Sequence, residues 1–282
     1  MELCCPVCGQ PLVRQGQSWQ CANRHCFDIA RQGYVNLLTV DRKHARHPGD
    51  TKEQVAARKA FLDGGFYEPI VRQLCRMVVP LKPSAVLDAG CGEGYYLTRL
   101  HEQLPEAAFA GVDISKDAVR FAAVRNKQAL WLTGTAAALP FPAESFDGVL
   151  SMFALTVEGE FARVLRPGGW FLQVLAGPEH LMGLKRIIYP EILRKEKTLH
   201  ADLAGFALAQ TETLEFSFSL DNAGQIQNLL SMTPHFWRIS REGAQRLAAV
   251  THLDDTAQVI FNLYRKEDGY AGAIAAGGGA LR

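Results

Sequence analysis

The stretch Ala85-Val86-Leu87-Asp88-Ala89-Gly90-Cys91-Gly92-Glu93-Gly94 reads as a buried strand that turns directly into a helix. Its apolar run closes on three glycines at alternate positions. With no Cβ atoms along one side of such a turn, a ligand can lie against bare backbone where the following helix presents its free N–H groups. The dinucleotide fingerprint G-x-G-x-x-G needs its third glycine one residue later and serves a pyrophosphate, so the spacing here disfavours NAD. Further on, the apolar run Phe109-Ala110-Gly111-Val112 ends on Asp113, a carboxylate placed to accept two hydrogen bonds from a ribose diol. Asp88 is expected to bond the amides of the glycine loop and to reach an amino group of the ligand through water. More strand-like runs follow at Phe146 to Phe153 and Trp170 to Val174. Strands alternating with helical segments in this way predict an α/β, Rossmann-like sheet.

Composition is consistent with one main globular unit and a small appendage. The chain has 282 residues, of which 48% are hydrophobic and 21% charged, enough to bury a full core. A net charge of +1 gives no global pull toward nucleic acid, so any basic surface must be local. The start of the chain lacks a charged segment followed by an apolar one, and no apolar run approaches a membrane span. A cytoplasmic protein is expected, with no membrane partner. Seven cysteines without an export signal argue for reduced thiols and metal rather than disulfides.

Five of those cysteines fall before Phe27, and their spacing is specific. Cys5-Pro6-Val7-Cys8-Gly9 is a knuckle that can place two sulfurs on one ion, and Cys21 with His25 can supply the other two corners of a tetrahedron. Cys26, beside His25, is the alternative fourth ligand, and Cys4 is the spare. A segment this short has too little core to fold unaided, so one zinc ion per chain would supply the missing stability. A redox role for Cys5 and Cys8 would need a thioredoxin-like βαβ context that is absent.

Four regions are expected: a zinc-binding module over residues 1–36, a basic linker and helical connector over 37–82, the donor-binding domain over 83–268, and a disordered Gly/Ala-rich tail over 269–282. The linker carries Arg42, Lys43 and Arg46, suited to phosphate contacts. A helix is predicted from Thr51 to a stop at Gly64-Gly65, and a second from about Tyr67 to Val79. Arg194, Lys195 and Lys197 sit on a predicted cationic helix flanking the site. Strands are predicted near Leu214 to Leu220 and Gln258 to Tyr264, with a helix over Ala223 to Leu230 between them.

The order of strand, glycine loop, helix and acid-ended strand resembles class I methyltransferases, whose donor is S-adenosylmethionine. The chain from Cys5 to about Tyr264 resembles, more narrowly, the bacterial 23S rRNA (guanine-N1)-methyltransferases. The resemblance is carried by the cysteine cluster with Phe27-Asp28, by Gly33-Tyr34-Val35-Asn36-Leu37-Leu38, Pro48-Gly49-Asp50 and Ala60-Phe61-Leu62-Asp63, and by Tyr95-Tyr96 after the loop. It continues in Arg166-Pro167-Gly168-Gly169-Trp170, Gly177-Pro178-x-His180-Leu181 and Met232-Thr233-Pro234-x-x-Trp237-Arg238. It implies methylation at N1 of a guanine in hairpin 35 of 23S rRNA, and a homodimer whose modules form a basic cleft. For the donor it implies contacts at Gly92, Glu93, Tyr67 and His180, beside those read from the loop itself at Asp88, Gly90, Gly94 and Asp113. Two departures stand out. Phe153-Ala154-Leu155 replaces an aromatic-Ala-Pro run, and Gly134-Thr135-Ala136 lacks the acid many methyltransferases set against the adenine amino group.

Methylation at N1 would constrain the site further, because that atom lies on the Watson–Crick edge and the base must be unpaired or flipped out. The N1 proton must also leave, and Asp50, Glu158 and Glu160 are the acids the sequence offers as a base, with no ranking among them. Two rival readings are a small-molecule methyltransferase with the zinc module as a protein contact, and a non-catalytic zinc-ribbon RNA-binding protein.

Overall fold

The computed structural model describes residues 1–40, 49–192 and 199–270. The cations Arg42, Lys43, Arg46, Arg194, Lys195 and Lys197 and the tail from Ala271 onward therefore lie outside the described residues.

The chain begins with a small antiparallel sheet in the order β1 (Leu3–Cys4), β2 (Pro11–Gln15), β3 (Ser18–Cys21), β4 (Cys26–Asp28). Short turns join the first three strands, and Gly16, at φ +60°, supplies the left-handed step between β2 and β3. The strand β5 (Val35–Asn36) leaves this sheet, although its residues were expected to close the zinc module. It pairs in parallel with β8 (Leu130–Thr133) at the edge of the large sheet. Val35, Leu37 and Leu38 are all buried, and Val35 and Leu37 pack in a core cluster that the small and large sheets share.

The first helix, α1 (Lys52–Asp63), starts at a capping box: the Gln54 N–H donates to Thr51 Oγ1 at 3.3 Å, and the Thr51 N–H donates to Gln54 Oε1 at 3.1 Å. It is followed by α2 (Glu68–Val78), whose second residue, Pro69, needs no intrahelical donor. From there strands and helices alternate as β6 (Ala85–Ala89), α3 (Tyr95–Gln103), β7 (Ala108–Asp113), α4 (Lys116–Arg125), β8, β9 (Phe146–Met152), α5 (Glu158–Val164) and β10 (Leu165–Ala176). The remainder is α6 (Met182–Ile188), β11 (Phe206–Leu220), α7 (Ala223–Ser231), α8 (Arg241–Ala248) and β12 (Leu253–Lys266).

The large sheet has the order β11-β12-β10-β9-β6-β7-β8-β5. All of its strands run parallel except β12, which is antiparallel to both neighbours. β6 lies centrally, between β7 and β9, so the chain crosses over on both sides of it, and the loop following β6 opens at the switch point where such sheets bind ligands. β11 and β12 extend well beyond the predicted apolar runs. Their pairing from Phe206↔Lys266 to Leu220↔Leu253 continues through polar stretches, held by the antiparallel ladder rather than by alternation. Apolar clusters cover both faces. One joins α2, α3 and α7 to the sheet. The other gathers Phe141, Phe146, Phe161 and Phe171 and also takes in Leu3, Cys5, Leu12 and Cys21 from the small sheet. The Cys4 N–H donates to the Pro140 carbonyl at 2.9 Å, which ties the small sheet to the large one.

Candidate active site and metal centre

The floor of the site is the loop between β6 and α3. Gly90, Gly92 and Gly94 all have left-handed φ, at +88°, +53° and +78°. Gly90 is obligatory for a second reason, since a Cβ there would lie 2.4 Å from the Ala154 Cβ. The loop amides are held from the next strand. The Gly90 and Cys91 N–H groups both donate to the Val112 carbonyl, at 2.8 and 3.1 Å, and the Gly92 N–H donates to Asp113 Oδ2 at 2.8 Å. Asp113 Oδ1 accepts the Ser115 N–H at 2.8 Å, and the Ser115 hydroxyl caps α4. The pair Asp113-x-Ser115 ahead of a helical run was the sequence signal for this arrangement.

Asp88 departs from its expected role. The loop amides it was expected to bond are taken by Val112 and Asp113, and Asp88 Oδ1 is buried with no hydrogen-bond partner among the described residues. Burial first, then the nearby Asp113 and Glu93 carboxylates, push its acid up to about 8. Burial also raises Asp113, while its two backbone donors pull the other way. An orphaned acid behind a bare glycine turn suits a ligand that brings a cation, as the ammonium of S-adenosylmethionine would. Because folding raises the Asp88 value above that of an ordinary aspartate, the native state binds the proton more tightly, and stability falls as pH rises from about 4 to about 8. Asp88→Asn is therefore expected to leave the melting temperature nearly unchanged at pH 4 and to raise it increasingly up to pH 8. Equal shifts at both ends of a thermal denaturation series would remove the buried-acid account.

The other expected donor contacts are positioned around this floor. Tyr67, at the start of α2, is 2% exposed, and burial together with Asp255 keeps its hydroxyl protonated. His180 follows β10. Its Nδ1 lies 3.0 Å from the Gln258 carbonyl, an acceptor that fixes a proton there, and its Nε2 lies 3.3 Å from the Tyr67 hydroxyl. Glu93 is 1% exposed, and its carboxylate faces Arg125, 3.3 Å away. Arg125 also pairs with Asp63 and lies over the Tyr95 ring. The Glu93 side chain thus braces the loop against α1 and α4.

Tyr67, Gly90, Gly92, Glu93, Asp113 and His180 line one cleft of about 710 Å³, within the range of small-molecule sites, whereas buried Asp88 and Gly94, which packs on Trp131 and Ala122, do not border it. Gly49, Asp50 and Arg58 border it on one side, Phe153 and Ala154 on another, and the segment from Met232 to Arg238 on a third. Arg58, which the sequence showed only as part of the helix predicted from Thr51, pairs with Asp50 and would stand 3.6 Å from a Cβ at Gly92. Phe153 holds φ +56°, rare for a bulky side chain, and its ring packs 6.3 Å from both Tyr96 and His180. Leu155, in the place of the resembled family's proline, is 75% exposed. Of the three acids offered as a base, only Asp50 borders the cleft. Glu160 is instead fixed by the Leu139 N–H at 2.7 Å and by Arg163, and Glu158 accepts the Ala204 N–H at 3.0 Å, so both are structural.

The metal-ligand candidates converge in the small sheet. The donor atoms of Cys5, Cys8, Cys21 and His25 all lie within 4.8 Å of one another. His25 Nδ1 is 3.5 Å from Cys5 Sγ and 3.4 Å from Cys21 Sγ, and the Cys8 and Cys21 sulfurs are 3.8 Å apart. Tetrahedral zinc with its usual bond lengths requires ligand edges of roughly 3.6–3.8 Å, so the four side chains fit such an ion. Cys26 is exposed on β4 and outside the group, which makes His25 the fourth member.

Known proteins match both parts. A zinc-ribbon profile described as RlmA, N-terminal, matches residues 3–46, and a methyltransferase domain profile matches residues 86–169. The 23S rRNA (guanine(748)-N(1))-methyltransferase of Streptomyces fradiae is 34% identical over 93% of this chain and 95% of its own length. The chain belongs to the 23S rRNA (guanine-N1)-methyltransferase family. A protein of Bacillus subtilis strain 168, provisionally named as such an enzyme, is 30% identical over 90% of this chain and 94% of its own. Another of Micromonospora griseorubida is 39% identical over 65% of this chain and 68% of its own. Membership makes the chain a methyltransferase that depends on S-adenosylmethionine, with a class I fold behind a zinc ribbon. No helix among the described residues is long and apolar enough to cross a membrane.

Proposed function

We propose that the protein methylates N1 of a guanine in the hairpin 35 region of 23S rRNA, in the cytoplasm, using S-adenosylmethionine and one structural zinc ion per chain. The observation that supports this reading is the nearly end-to-end match to the Streptomyces fradiae enzyme, spanning metal cluster and cleft alike. When bound, S-adenosylmethionine supplies an electrophilic methyl group. The chain's own residues bind and orient. Gly90 and Gly92 leave the floor bare, Gly94 lets the loop pack on Trp131 and Ala122, Asp113 offers its remaining lone pairs to ribose hydroxyls, and buried Asp88 reaches the donor's amino group through water. The Tyr67–His180 pair fixes the neighbouring wall. Cys5, Cys8, Cys21 and His25 hold the zinc. The guanine enters flipped, with its Watson–Crick edge toward Ala154 and the loop. Holding the reacting atoms in line is worth up to roughly 7–11 kcal/mol, and the N1 proton that methylation displaces goes to Asp50, the one of the three offered acids that borders the cleft, or to water. By the family resemblance the working unit is a homodimer.

The test is methyl transfer from labelled donor to a 23S rRNA transcript, with a pool of small metabolites as control. Label in the RNA is expected. Label confined to the small-molecule pool would overturn the reading.

A further inference from the structure

We propose that Trp237 is a stacking platform for the unpaired RNA base next to the target guanine, with Arg238 contacting the adjoining phosphate. The proposal rests on the RNA reading above and adds to it the residue that receives the chain as it leaves the cleft.

Trp237 is 68% exposed, whereas Trp131 and Trp170 are buried in the sheet layers and Trp19 is half-buried. An indole left that open at the rim of a binding cleft is available surface of the kind nucleobases stack on. Its backbone is rigid. Residues 234–237 form a single 3-10 turn, entered where Thr233 Oγ1 donates to the Leu230 carbonyl at 2.9 Å. Phe236 anchors the turn in the core cluster and meets the Trp237 ring edge-on, with centroids 5.0 Å apart at 82°. His235 Nδ1 lies 2.8 Å from the Tyr189 hydroxyl. A platform fixed in this way loses little entropy when a base lands on it.

Charge and depth assign the occupant. Arg238 is exposed and has no carboxylate within ion-pair distance among the described residues, whereas Arg58, across the cleft, is matched by Asp50. The rim therefore carries a cation suited to phosphate. The target base must reach the floor at Gly90 and Ala154, beneath Phe153, so a ring as exposed as Trp237 meets the next nucleotide rather than the target itself. A small acceptor enclosed by the cleft would have no use for an outward platform, but a polymer continuing into solvent would.

The test compares Trp237→Ala and Trp237→Phe with wild type on a 23S rRNA hairpin transcript. Trp237→Ala is expected to raise KM for the RNA roughly 5- to 100-fold while donor affinity, read by calorimetry, stays unchanged, and Trp237→Phe is expected to recover most of the loss. The hairpin should quench wild-type tryptophan emission, and that quench should vanish in Trp237→Phe, which keeps the other three tryptophans. A Trp237→Ala protein with wild-type KM, or a quench that survives in Trp237→Phe, would overturn the platform while wild type still methylates the RNA. If wild type itself neither methylates nor is quenched by the hairpin, the RNA reading fails and the platform falls with it.

Discussion

Cys21→Ser is expected to empty the metal site and unfold the small sheet while leaving the large one standing. Cys21 is buried, and its sulfur is 3.8 Å from Cys8 Sγ and 3.4 Å from His25 Nδ1, so the substitution removes a corner that no described side chain can replace. Structural zinc in short modules contributes apparent binding energies of about 10–16 kcal/mol near neutral pH, most of the folding free energy of such a unit. The large sheet should loosen only where it meets the module, because Leu3, Cys5 and Leu12 share a core cluster with Phe141 and Phe161. Elemental analysis should find one zinc in wild type and in Cys26→Ser, and none in Cys21→Ser, and hydrogen exchange should show protection lost over residues 3–28. A Cys21→Ser protein that keeps its full metal complement would refute the assignment of the cluster.

The second large effect is expected from Asp113→Ala. Asp113 accepts two backbone donors, the Gly92 and Ser115 N–H groups, each at 2.8 Å, and on the proposed function its remaining lone pairs serve the donor ribose. Removing it forfeits a charged acceptor, worth about 1.5–3 kcal/mol, and strands at least one amide, at about 1–3 kcal/mol. Donor affinity should fall by about 1.5–3 kcal/mol in a calorimetric titration, while the stranded amide, unpaired with or without donor, should show as lost thermal stability. Asp113→Asn keeps an acceptor oxygen without the charge and should fall between the two. Unchanged donor affinity in Asp113→Ala would remove Asp113 from the site.

What could be seen in the sequence was local. The glycine loop, the acid closing the second strand and the Thr51 helix start depend on residues a few positions apart, and each stands where its local chemistry requires. The metal cluster was visible as spacing, but the choice of His25 over Cys26 depends on how β4 turns its side chains, which spacing does not encode. The misread features are long-range. Asp88 lost its expected partners because Val112, a strand away, had already taken the loop amides. The Tyr67–His180 bond, which no local pattern could show, joins side chains 113 residues apart in the chain. β5 pairs with β8, a strand far along the chain that local spacing does not identify. Glu158 and Glu160 were acids of the right type that the fold turned toward backbone donors and Arg163.

The central claim is that the cleft presents the Watson–Crick edge of a flipped guanine to the donor. The most direct measurement is to digest 23S rRNA methylated by the purified protein to nucleosides and identify the modified one. The account predicts 1-methylguanosine from the hairpin 35 region. A methyl group on the exocyclic amine, on N7, on a ribose hydroxyl or on another base would contradict it.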